Sequence, residues 1–222
     1  MERETKTVEQ ARVAEAEIVR ELGPVADAVH GVTFDGRLVW AATGERLLAL
    51  DPLSGATVRT LERQGDAGTA FDGKHLYQIA GRRIDKIDLA TGELLGSIPA
   101  PGDGEDSGMA WSEGCLWVGQ YRARKIHQID PDTGAVLRTL DSDRYVTGVT
   151  WVDHELWHGT WEEGESELRC VDPATGAVRE RLVMPAGAGV SGLESDGASL
   201  FYCGGGQSGM VRAVRRPARG RD

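Results

Sequence analysis

The sequence predicts an all-β fold made of five copies of one four-stranded unit, and three observations predict it. An opening glycine recurs about every 40 residues, at Gly31, Gly68, Gly108, Gly148 and Gly192. An aromatic column follows at Trp40, Tyr77, Trp117, Trp157 and Phe201. A turn of the form Asp-Xaa-Xaa-Ser/Thr-Gly closes four copies, at residues 51–55, 88–92, 130–134 and 172–176. Between these landmarks, short bursts of β-branched and aromatic residues are separated by Gly, Asp, Pro and Ser, the pattern of strands joined by tight turns. Four antiparallel strands per period form a blade, and five blades form a ring, so the fold expected is a five-bladed β-propeller.

The fourth copy is the clearest, with strands A to D expected at 148–151, 155–160, 168–172 and 178–183. The fifth supplies three strands and lacks the closing turn. Its missing strand is expected from the N-terminal side, because residues 15–22 (EAEIVREL) resemble the D-strand texts AVLRTL and AVRERLV. Pairing it into the last blade closes the ring and protects an otherwise open edge. The competing reading is an amphipathic helix over 8–22, where Ala and Glu dominate. The domain plan is then an N-terminal extension over 1–14, helical or disordered, one propeller domain over 15–215, and a basic tail over 216–222 read as a solvated end.

Composition narrows the function classes. Thirty of the 222 residues are Gly, clustered at turns rather than in a low-complexity run. A net charge of −10 argues against nucleic acid as a partner. No apolar run approaches the roughly 20 residues that cross a bilayer, and the polar start MERETKTVEQ has no signal-peptide core, so no membrane partner and a cytoplasmic location are expected. Cys115, Cys170 and Cys203 lie in different copies without a CxxC pair, which fits reduced, mostly buried thiols. The chain is expected to be a monomer acting on a small-molecule ligand.

The two faces of the ring differ. A–B turns such as Asp35-Gly36 and the Asp-Xaa-Xaa-Ser/Thr-Gly turns are short and uniform, which is turn chemistry. The B–C and D–A loops vary in length and content, so the ligand is expected on that face, at the mouth of the central channel. Positions that break a column sharpen the choice. His30 stands before the opening glycine where Ala67, Ser107, Thr147 and Ser191 stand elsewhere, and Glu194 is the acid among Thr33, Ala70, Ala110 and Thr150. Gln78, His158, Arg169 and Arg212 are polar exceptions on strands B and C. Buried polar groups must be paired or face a wet cavity.

His158, Glu194 and His30 are therefore the candidate acid/base groups. The candidate ligand-binding residues are Gln78, Gln120, Tyr121, Trp161, Glu162, Arg169, Cys203 and Arg212. Tyr121 and Trp161 lack repeated counterparts and suit an aromatic wall. Glu162 also reads as part of a solvated charge run, and Cys203 as a small buried residue. Gly204–Gly206 could turn successive amides toward an anion. No protein metal ligands are assigned, because zinc spacing is absent, although Asp66, Asp103, Glu105, Asp106, Asp141 and Asp143 offer oxygens suited to Mg or Ca.

Repeats of the type GVTWVDHELWHGT followed by DPATGAV resemble the YVTN/NHL-type propellers, a group that includes streptogramin (virginiamycin B) lyase and the five-bladed glutaminyl cyclases (glutamine cyclotransferases). The resemblance covers almost the whole chain, and five blades with Asp-Xaa-Xaa-Thr-Gly turns lean to the cyclotransferases, since streptogramin lyase has seven blades. His30-Gly31-Val32-Thr33 stands where the cyclases' Phe-Thr-Gln-Gly-Leu is expected. The lyase side implies a histidine base and Mg²⁺-assisted elimination, with His158, Glu194 and Glu162 as stand-ins. The function expected is small-molecule general acid/base chemistry, lyase or cyclotransferase-like. The alternative is a non-catalytic propeller that binds a metabolite or a protein.

Overall fold

The computed structural model describes residues 11–219. Two strands precede the first repeat, β1 (Arg12–Glu15) and β2 (Ile18–Leu22). The first blade is β3 (Gly31–Phe34), β4 (Val39–Ala42), β5 (Leu47–Leu50) and β6 (Thr57–Leu61). The second is β7 (Thr69–Phe71), β8 (His75–Ala80), β9 (Arg83–Asp88) and β10 (Leu94–Pro99). The third is β11 (Asp106–Ser112), β12 (Cys115–Gln120), β13 (Lys125–Ile129) and β14 (Val136–Asp141). The fourth is β15 (Tyr145–Val152), β16 (Glu155–Glu162), β17 (Glu165–Val171) and β18 (Val178–Val183). The fifth has β19 (Gly192–Ser195), β20 (Leu200–Gly204) and β21 (Val211–Arg215), and β2 completes it antiparallel to β21.

The structure is thus a five-bladed β-propeller closed by an N-terminal strand, and residues 18–22 are strand rather than helix. One element was not expected. β1 adds a fifth strand, parallel, to the outer edge of β18, so the N-terminal segment fastens the fourth blade as well as the fifth. Residues 12–14 of the expected extension therefore belong to a blade, while residues 1–10 lie outside the described residues.

The repeated glycines make the ring this tight. The inner strands β3, β7, β11, β15 and β19 contact one another in order around the axis. A Cβ on Gly108 would lie 2.5 Å from the Gly148 Cα, one on Gly148 would lie 2.5 Å from the Leu193 N, and one on Gly192 would lie 2.7 Å from the Gly31 Cα. Gly31 and Gly68 meet the following blade in the same way. Each opening glycine thus lets the next blade's backbone fill the space of its missing side chain.

The aromatic column holds each blade from inside. Trp40 and Trp117 are buried, and Trp157 and Phe201 are fully so, in contact at 5.0 Å between ring centroids across the fourth and fifth blades. The preceding turns secure the polar edges: Trp40 donates its indole N–H to Asp35 Oδ2 at 2.7 Å, while Asp35 Oδ1 accepts the amides of Arg37 and Leu38. In the fourth blade Glu155 takes the corresponding part for Trp157.

Candidate functional site at the channel mouth

A cavity of about 790 Å³ opens on the loop face of the ring. Its lining comes from the residues just before the opening glycines (His30, Asp66, Ala67, Asp106, Ser107, Thr147, Val190 and Ser191) and from loop residues including Tyr121, Trp161 and Gln207. These are D–A and B–C connections, the face that the loop variation predicts. The glycines lie one residue deeper, so their close approach floors the cavity and makes it a bowl. Its volume falls in the range that suits a small molecule.

Asp106 is the group with the most unusual environment. It is 8 % exposed; Oδ2 accepts the Gly102 amide at 3.0 Å, and Oδ1 has no hydrogen-bond partner among the described residues. Burial pushes its pKa up to about 6, against the opposing pull of the Gly102 amide and its own. No charged side chain contributes to that shift. Thr147, 7 % exposed, has an Oγ1 without a partner as well. By contrast Ser107 donates to the Val146 carbonyl at 2.7 Å and Ser191 donates to the Val29 carbonyl, so these hydroxyls lace one blade to the next.

The aromatic side of the bowl is braced. Tyr121 stacks on Tyr145 with centroids 4.8 Å apart, and the Arg124 guanidinium sits 4.4 Å over the Tyr145 ring. Trp161 pairs in register with Tyr145 on the neighbouring strand. Burial, then the nearby Tyr145 and Glu162, raise the pKa of Tyr121, so its hydroxyl stays protonated at neutral pH.

Of the candidate acid/base and ligand-binding residues, His30, Tyr121 and Trp161 line this bowl, as do Asp66 and Asp106 of the acidic loops and Gly205 and Gly206; the other candidates are not among its lining residues. Glu194 lies below the glycine floor, where it accepts the hydroxyls of Thr33 at 2.7 Å and Thr150 and the Ser195 amide, tying three blades together. Burial pushes its pKa up to about 7 against those donors. His158, 1 % exposed, lines a separate cavity of about 230 Å³ between the third and fourth blades. Burial and then Arg169 push its pKa down to about 4, leaving it neutral. Arg169 pairs with it in register, but its guanidinium bonds Glu167 at 2.8 Å and Asp143. Glu167 also binds Arg181 and lies near Arg144; burial opposes its ionisation, yet Arg181 and Arg169 hold it at about 2.

The remaining candidates have partners within the protein or are buried. Gln78 donates to the carbonyls of Ala67, Gly68 and Ile79. Gln120 hydrogen-bonds His127 at 3.0 Å, Glu162 pairs with Arg124, and Arg212 pairs with Glu21. Cys203 is fully buried, and burial pushes its thiol up to about 12, where it is no nucleophile. The triple glycine offers no pair of free amides, because Gly205 donates to the Met210 carbonyl and Gly206 to the Ser191 hydroxyl. The reason is common to these residues: strands B and C face neighbouring blades, whereas only the innermost strands and the loops reach the axis. Among the described residues no group of three His, Cys, Asp or Glu is placed to hold a metal ion.

A signal for Asp106 was present in the sequence. Two residues before each opening glycine stand Val29, Asp66, Asp106, Val146 and Val190. Two acids interrupt a valine column, and both line the bowl.

No protein-family model matches the sequence, and no curated protein matches it at a significant level. Among solved structures, the chain is similar to the crystal structure of Myxococcus xanthus glutaminyl cyclase, with a TM-score of 0.77 and 19 % identity over 93 % of this chain and 98 % of that one. A looser likeness, with a TM-score of 0.54 and 14 % identity over 86 % of this chain and 64 % of the other, is to a chain in the crystal structure of a mitotic checkpoint complex. At these identities the fold is what is shared, and the chain has the five-bladed propeller fold of the Myxococcus glutaminyl cyclase.

Proposed function

We propose that this propeller is a small-molecule enzyme that works in the mouth bowl by general acid/base catalysis of the cyclotransferase-like kind. The observation that carries the reading is Asp106, a buried carboxylate in the bowl wall whose pKa near 6 suits proton transfer close to neutral pH. His158 and Glu194 take no part, since one faces a blade interface and the other lies under the floor. In a cyclotransferase step an amine attacks a carboxamide carbon of the same molecule, the new C–N bond forms, the old one breaks, and ammonia leaves. Asp106 takes the proton from the attacking nitrogen and returns it to the departing one. Tyr121 and Trp161 hold the substrate body, and the glycine floor keeps it at the mouth.

The test is ammonia release from a glutaminyl dipeptide across a range of pH. The expected profile rises as pH passes through about 6, where Asp106 ionises, and Asp106→Asn lowers the rate about 10²- to 10⁴-fold. A parent protein that releases no ammonia, or an Asp106→Asn variant that works at the parent rate, contradicts the proposal.

A further inference from the structure

The charges of the bowl wall are one-sided. The lining includes two carboxylates, Asp66 and Asp106, and no lysine or arginine. The nearby arginines are paired with other groups: Arg124 with Glu162 and the Tyr145 ring, Arg82 with Asp103, and Arg212, behind the wall, with Glu21 and the Gly189 carbonyl. Asp66 accepts from the Gly81 amide at 3.0 Å and from Gln64, neither of them charged. Asp106 accepts from a single loop amide on Oδ2 and from nothing on Oδ1. A buried carboxylate without a counter-ion is costly, and the cost falls when a cation is brought to it. Tyr121, whose amide donates to the Glu105 carbonyl beside Asp106, and Trp161 also line the bowl, aromatic rings of the kind whose faces attract cations. The chain's net charge of −10 also favours the approach of positive ligands and repels negative ones.

We infer that the bowl is selective for a ligand carrying a cationic nitrogen, held by the Asp106 carboxylate together with the Tyr121 and Trp161 rings. This rests on the reading of the bowl as the ligand site and adds the chemical class it takes. An anionic ligand of equal size meets two carboxylates and no compensating donor charge. A neutral one brings Asp106 no counter-charge.

The experiment compares three probes of one shape but different charge, benzyltrimethylammonium, benzyl alcohol and benzoate, by calorimetry and ligand-observed NMR. The proteins are the parent chain, Asp106→Asn and Trp161→Leu, each checked by its thermal melt. The expected result is binding of benzyltrimethylammonium, weakened about ten-fold or more by Asp106→Asn and also weakened by Trp161→Leu, with benzoate not bound. Equal binding of the cation and benzyl alcohol, lost in Trp161→Leu but unchanged in Asp106→Asn, overturns the charge class while leaving the bowl as the ligand site. Stronger binding of benzoate also overturns it. Failure of all three probes to bind overturns the site reading and the inference together.

Discussion

At the scale of single residues, two carboxylates near the opening glycines do different things. Asp106 lines the bowl and has a partner on one oxygen, whereas Glu194, partly exposed, is not among the bowl's lining residues and has donors on both. Both have raised pKa values, so each carboxyl binds its proton more tightly in the folded chain than in the unfolded one. For Glu194 the associated stability is fully present below its ordinary value of 4.5 and is lost as pH rises through about 7. Replacing it with glutamine keeps a neutral group among Thr33, Thr150 and the Ser195 amide. Glu194→Gln should therefore gain stability relative to the parent between pH 4.5 and 7, on the order of 3 kcal/mol. Denaturant unfolding at a series of pH values measures this, and two parallel stability curves would contradict it. The sequence shows both residues as breaks in a repeated column, but it does not show which side of the floor each occupies. That depends on position along the inner strand: Asp106 precedes its glycine by two residues and Glu194 follows its glycine by two.

At the scale of elements, the blades depend on contacts that repeat and on a few that are supplied from elsewhere. An Ala at Gly148 would drive its Cβ to 2.5 Å from the Leu193 N and 2.7 Å from the Gly192 carbonyl carbon, both backbone atoms that cannot rotate away. Gly148→Ala should destabilise the ring by more than about 2 kcal/mol, whereas alanine at Gly96, where a Cβ meets nothing, should cost little. The outer strands show substitution between blades. Arg59 lies over Trp40 and Arg138 over Trp117, each from its own D strand, and in the second blade Lys86 lies over Tyr77. In the fourth blade the D strand has Glu180 instead, and Arg219 arrives from the C-terminal tail to lie over Trp157 and pair with Glu155 and Glu180. With Arg216 on Asp153, this makes the tail through Arg219 part of the fold rather than the solvated end that its composition suggests. Arg219→Ala should lower stability by about 1–2 kcal/mol, read as a shift in the unfolding midpoint, and an unchanged midpoint would contradict that role. The strands themselves were legible because Gly, aromatic and Asp-turn positions recur in phase. The tail was not, because its partners are scattered acids in another blade.

At the scale of the whole molecule, the ring explains why the face of the site could be read from sequence and most of its residues could not. Loop variation marks the mouth face, and the bowl is there. A polar exception on strand B or C, however, is buried within or between blades, as His158, Arg169 and Gln78 are, and the two ends of the chain add contacts across the closure. What reaches the axis is the inner strand and its preceding loop, which bring Asp66 and Asp106 to one bowl with Tyr121 and Trp161. The proposed function then depends on whether Asp106 is poised to exchange a proton. The most direct measurement is an NMR titration of the Asp106 carboxyl carbon, assigned with Asp106→Asn. A midpoint near 6 is predicted, and one near the ordinary 3.8 would contradict the assignment of Asp106 as the acid/base group of this site.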